Sequence, residues 1–220
     1  MKRTCTSAAR RAAHAARRGF TLIELLAVIA IISILAIFLL PKIPEAFNAA
    51  KVAACQKNLS EIYGGLMLYE TQYKRIPEQS GARFFTCLIS REVWENTANS
   101  AKRLTCPGVD IGALEIGTLE PEEWYISADT VTGASTSYAG RDLKNHPLRR
   151  LKSGKEILVA DDNDPMLNHL TETNALFGDG AVTQYMLPLL REQGVVSADQ
   201  DVLLVGHDSP VPDLRKLSLD

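Results

Sequence analysis

The side chains that could do chemistry fall into a few clusters. Asp161, Asp162, Asn163 and Asp164 follow the apolar run Ile157-Leu158-Val159-Ala160. Clustered oxygen ligands suit a hard cation such as calcium, which makes Asp161, Asp162 and Asp164 calcium candidates. The EF-hand spacing is absent, and Asp/Asn runs also shape turns; no other metal or cofactor is expected. His169 is separated by nine residues from Asp179-Gly180, and the two side chains could meet across a hairpin as a structural pair or a subunit contact. A catalytic pair would need a nucleophile. Gly133-Ala134-Ser135-Thr136-Ser137 lacks the second glycine of a nucleophile elbow, so no catalytic residue is assigned. The cysteines are Cys5, Cys55, Cys87 and Cys106. No pair has zinc-finger spacing. Cys87 and Cys106 would close a loop of about 20 residues, where a disulfide would add roughly 3 kcal/mol in an oxidising compartment. Cys55 falls on an apolar helix seam and reads as a buried thiol.

The elements that must carry these residues are set by hydropathy and charge. Residues 25–40 are apolar throughout, with Ser33 the only polar member. With its flanks, the segment 20–43 has the length of a bilayer-spanning helix. Before it, residues 1–19 hold six basic residues and no acid, and the rest of the chain holds 18 basic against 26 acidic residues. A basic stretch ahead of an apolar helix keeps that end cytoplasmic and sends the remainder across. The acidic remainder argues against a nucleic-acid partner. The apolar core is longer than that of an ordinary secretory signal, and no small-residue cleavage site follows it. Glu24 is an isolated carboxylate at its front. An ionised acid in a membrane helix costs about 2.5 to 3.5 kcal/mol even on lenient scales, so it needs a partner; the plainer reading is an interfacial side chain reaching the headgroups.

Arg17-Arg18-Gly19-Phe20-Thr21-Leu22-Ile23-Glu24 resembles the class III signal of type IV pilins and type II secretion pseudopilins. The resemblance implies cleavage between Gly19 and Phe20 by prepilin peptidase and methylation of the new amino group on Phe20. Glu24, the fifth mature residue, would then meet the Phe20 amine of a neighbouring subunit and set the axial register. It further implies that Pro41 marks where the helix opens on packing into a filament; a plain kink at the membrane surface is the other reading.

Beyond the membrane, Val52, Cys55, Leu59, Ile62, Leu66, Tyr69 and Tyr73 recur at intervals of three and four, one apolar seam of a helix. Gly64 and Gly65 interrupt it at about 1 kcal/mol each. The helix therefore runs from Phe20 to about Tyr73, with Pro41 and Pro44 kinking or opening it. Residues 82–95 read as a short helix, 96–123 as mostly loop, and 186–193 as helical. Strands are expected at Trp124–Ser127, Ile157–Ala160, Ala175–Phe177 with Ala181–Tyr185 as a hairpin across Gly178-Asp179-Gly180, and Val202–Val205. The tail from Asp208 is expected to be loosely held. His169 with Asp179-Gly180 is similar to the His-x9-Asp-Gly (DUF1559-type) pseudopilin heads, although Leu170-Thr171-Glu172-Thr173-Asn174 departs from the glycine-rich lead-in of that group.

The expected class is α+β: a pilin-like fold, with a long N-terminal transmembrane helix packed on a small antiparallel sheet. Its parts are a cleaved leader (1–19), a transmembrane helix (20–43), the extramembrane half of the helix (44–75) and a globular head (76–220). The expected role is a structural filament subunit, not an enzyme, in the inner membrane with its N-terminus cytoplasmic and its head periplasmic. Its partners would be itself and other pseudopilins, prepilin peptidase, and the assembly platform protein and ATPase. The rival is a membrane-anchored periplasmic binding or enzymatic domain with an uncleaved helix.

Overall fold

The computed structural model describes residues 20–152, 154–162, 168–169 and 171–220. The expectations for the leader and for Gly19, Asn163 and Asp164 therefore lie outside the described residues. The chain parts into two compact units between Ile43 and Pro44.

In the first unit, α1 spans Leu22–Leu39 and buries no residue of its own. It is long and apolar enough to cross a membrane. A helix bonds its own backbone, as a chain surrounded by hydrocarbon requires. Its one polar interior side chain follows suit: the Ser33 hydroxyl donates to the Ile29 carbonyl at 2.7 Å. The helix ends at Leu39, and Pro41 stands in the break before α2. Pro44 causes no break, because it lies in the first turn of α2 (Lys42–Tyr73), where a helix lacks partners for its N–H groups anyway.

In the second unit, α2 buries Val52, Cys55, Leu59, Ile62, Gly65, Leu66 and Tyr69, the seam read from the sequence. This stripe packs with α3 (Ala82–Ser90) and one face of a five-stranded antiparallel sheet in the main core. The strands are β1 (Tyr138–Arg141), β2 (Ile157–Asp161), β3 (Glu172–Phe177), β4 (Val182–Met186) and β5 (Leu217–Ser218). Their order is β4-β3-β2-β1-β5. A second core covers the other face, built on Ala139, Ile157, Ala160, Ala175 and Phe177 with Leu187 and Leu190 of α4 (Leu187–Glu192). The α+β class with an antiparallel sheet is the observed one. A further one-turn helix occupies Ala98–Lys102.

Several expected elements differ. Trp124–Ser127 is a turn, because Trp124 and Tyr125 are both buried and anchor to carbonyls, Trp124 Nε1 to Leu119 at 3.0 Å and Tyr125 Oη to Ser135 at 3.0 Å. Val202–Val205 contributes Leu203 to the second core without joining a ladder. The tail is not loose. Val211, Leu214 and Leu217 are buried, and β5 pairs with β1, setting Ser218 against Gly140. Only Gly180 of the hairpin glycines has positive φ, at 88°, and a Cβ there would also meet the Tyr63 ring at 2.8 Å.

Candidate functional site

Among the described residues, two places bring reactive groups together. In the head, α2 presents Cys55 toward β2. On β2, Ile157 and Ala160 belong to the second core, whereas Leu158 and Val159 both belong to the α2-side core. The register shifts between Ile157 and Val159, and such a bulge resets the alternation of a strand. Asp161 consequently faces α2, where it is fully buried and accepts from the Cys55 thiol at 2.9 Å. Its Oδ2 accepts from the Asn174 backbone N–H at 3.1 Å and Nδ2 at 2.7 Å. His169 Nε2 lies 3.2 Å from the same oxygen and 3.4 Å from Cys106 Sγ. The Tyr138 hydroxyl completes the group, 3.3 Å from Cys55 Sγ.

The loop bearing Cys106 and the segment bearing His169 are both tied to Ser137, the residue before β1. Its N–H donates to Ser137 Oγ at 2.8 Å, and Asn168 Nδ2 donates to the Ser137 carbonyl at 2.9 Å. Gly108 permits the approach: a Cβ there would stand 2.0 Å from the Asn168 carbonyl oxygen. Burial pushes the Cys55 thiol well above its ordinary range. The hydrogen bond with Cys55 brings Cys106 down to about 7 against the effect of burial, aided by His169. Desolvation disfavours a charged His169, but hydrogen bonds to Asp161 and Cys106 outweigh it and raise the imidazole to about 10. The group thus holds a histidine–carboxylate contact and two cysteine sulfurs out of water.

This arrangement revises three expectations. Cys87 and Cys106 are free thiols; Cys87 donates to the Phe84 carbonyl of its own helix at 3.2 Å while Cys106 faces His169. His169 pairs with Asp161, not Asp179, which is exposed and caps the hairpin by accepting from the Ala181 N–H at 3.0 Å. Asp161 does not join a calcium-binding turn with Asp162, because its carboxylate is committed inward. Cys55 is the buried thiol that the seam implied.

At the other place, Thr21 caps α1. Thr21 Oγ1 accepts from the Glu24 N–H at 3.3 Å, and the Glu24 carboxylate accepts from the Thr21 N–H at 2.9 Å. This capping box satisfies two otherwise orphaned donors and gives Glu24 a partner within its own chain. Its signature, Thr-x-x-Glu before an apolar run, stands in the sequence at residues 21–24. Phe20 is 77% exposed beside it.

Residues 14–40 match the family model of the prokaryotic N-terminal methylation motif. The amino-terminal segment therefore carries this motif, consistent with a type IV pilin-like or pseudopilin chain. The match takes in Gly19, Phe20, Glu24 and the whole of α1. It stops before the head, so the His-x9-Asp-Gly likeness remains an expectation. No curated protein and no solved structure matches the chain.

Proposed function

We propose that this chain is a pilin or pseudopilin subunit of a type IV pilus-like or type II secretion filament, structural and not catalytic. Prepilin peptidase cuts between Gly19 and Phe20, and Phe20 is methylated. A platform protein and ATPase then draw the mature chain from the inner membrane, where its N-terminus faces the cytoplasm and its head the periplasm. The observation that carries this reading is the methylation motif continuous with a helix that buries none of its own apolar residues. Such a helix needs lipid or the helices of other copies around it.

Glu24 has two successive partners in this scheme. In the membrane, the capping box with Thr21 satisfies it. In the filament, the cationic amine of a neighbour's Phe20 adds an opposite charge in a medium of low dielectric, which favours one axial register. Glu24→Ala leaves the cleavage site intact, so the expected outcome is a normally processed chain that fails to build filaments. Mass spectrometry of the purified chain reads the first step as methylated Phe20 at the N-terminus; electron microscopy of sheared filaments reads the second. An N-terminus that retains the leader would favour the anchored-domain reading. Normal filament yield from processed Glu24→Ala would remove the register argument.

A further inference from the structure

We propose that Cys55, Cys106, Asp161 and His169 form a tetrahedral binding site for a zinc-class divalent cation, joining α2 to the sheet. All four are buried, and each offers one donor atom, the set lying within 4.8 Å of one another. Zinc bound at about 2.3 Å to sulfur and about 2.0 to 2.2 Å to nitrogen or oxygen separates tetrahedral donors by roughly 3.4 to 3.8 Å. Three donor separations lie at or below the short end of that range, 3.4 Å for Cys106 to His169, 3.2 Å for His169 to Asp161 and 2.9 Å for Cys55 to Asp161, and every pair in the set lies within 4.8 Å. Shifts of about 1 Å or less along these edges would seat an ion, on the scale of ordinary side-chain adjustment on binding.

The donor chemistry selects the ion. Two thiolates, an imidazole and a carboxylate suit zinc and neighbouring transition metals, whereas calcium and magnesium take oxygen ligands. With four protein ligands there is no open position for water, the hallmark of a structural site. Two thiolates and one carboxylate carry three negative charges, so a divalent ion leaves one. The surroundings spread that charge: the Gly108 N–H donates to Cys106 Sγ at 3.3 Å, Tyr138 stands beside Cys55, and Asn174 donates twice to Asp161. Ligand-orienting hydrogen bonds of this kind are what metal sites use around their first ring of donors. Two clefts border the ligands, one of about 270 Å³ that His169 lines and another of about 360 Å³ that Cys106 lines. The ligands come from α2, the loop after residue 102, β2 and the segment before β3, so no short-range spacing announces them.

The test uses the mature full-length chain, purified in detergent under reducing conditions and loaded with zinc or cobalt(II). Zinc is expected to bind one ion per chain by elemental analysis. The cobalt form is expected to show thiolate-to-metal charge transfer in the near ultraviolet and strong tetrahedral bands in the visible. Cys106→Ser abolishes both signals, Cys87→Ser leaves both unchanged, and Asn174→Ala, which provides no ligand, weakens zinc binding roughly 10- to 100-fold. The cobalt spectrum of the unmutated chain decides the matter even where a variant misfolds. Spectra without thiolate ligation, failure to retain zinc, or a Cys55–Cys106 disulfide in the peptide map of chain isolated without reductant would each overturn the proposal. None of these readings depends on whether the chain forms filaments.

Discussion

Adjacent glycines on α2 should respond to the same substitution with opposite sign. Gly64 is exposed, and a Cβ added there meets nothing within 4 Å. Gly64→Ala therefore gains only the difference in helix propensity, about 1 kcal/mol. Gly65 is buried, and its Cβ would stand 2.6 Å from Leu88 Cδ1 and 2.9 Å from two atoms of the Trp94 ring. Leu88 is fully buried in the main core, so it has little room to retreat. Gly65→Ala receives the same propensity gain but adds overpacking of roughly 1 to 3 kcal/mol. Because the propensity term cancels, the gap between the two variants isolates the steric cost, about 1 to 3 kcal/mol in favour of Gly64→Ala. For a unit of this size that corresponds to about 2 to 4 °C of melting temperature per kcal/mol. Denaturant titration of the full chain in detergent, followed by tryptophan fluorescence, reads the gap directly, since Trp94 is at the contact. Equal stabilities, or a more stable Gly65→Ala, would refute the packing of α3 and Trp94 on this point of α2.

Three other outcomes are expected. Thr21→Ala removes the helix cap, worth about 1 kcal/mol, but keeps Glu24; filaments seen by electron microscopy should persist, and their loss would make capping, not register, the role of Glu24. Burial raises the Cys87 thiol to about 12, so iodoacetamide at neutral pH should leave it unmodified in the native chain and label it in denaturant; labelling of native Cys87 at the rate of a free thiol would contradict its burial. Partial desolvation pushes Asp142 upward, but hydrogen bonds from Asn145 and the Lys144 N–H outweigh it and hold the carboxyl below its usual range. A depressed folded-state value means the stabilisation is present above the unfolded pKa of about 3.9 and is lost as pH falls through the folded value. Asp142→Asn should therefore flatten the acid limb of a stability–pH curve, and an unchanged limb would remove Asp142 from that account.

What the sequence disclosed followed from periodicity and from short-range signatures. The α2 seam, α3, the β3–β4 hairpin and the membrane-length helix each announce themselves within a window of a few turns. The Cys55–Asp161–His169–Cys106 group does not, because it depends on pairings among residues up to 114 positions apart and on a bulge that reverses the side of β2 on which Asp161 falls. Alternation counted from Ile157 without the bulge puts Asp161 on the face away from α2. β1 was missed for a related reason: Tyr138-Ala139-Gly140-Arg141 lacks a strand-like apolar run, and Gly140 is there for contact, since a Cβ would stand 2.0 Å from the Gly81 carbonyl oxygen. Trp124–Ser127 has strand-like residues, yet two consecutive buried aromatics are incompatible with one face in and one face out.

The polar contacts of α2 fix something its apolar seam leaves open. Hydrophobic burial is non-directional, and a seam of residues spaced three and four apart presents nearly the same stripe after sliding one turn along the sheet. Such a slide would put Leu59 where Cys55 now meets Asp161. It would also separate Asn48 from Glu172, Gln56 from Asn174 and Asn58 from the Thr105 carbonyl, pairs that meet at 3.3, 3.2 and 3.3 Å. A fully buried Asp161 facing leucine would lose its thiol donor, a cost of about 1 to 3 kcal/mol. The seam thus supplies affinity between helix and sheet while Cys55 and its polar neighbours supply register, the division of labour that buried polar groups perform in other helical packings. A helix pinned at four polar points resists sliding along the sheet where an oily stripe alone would not.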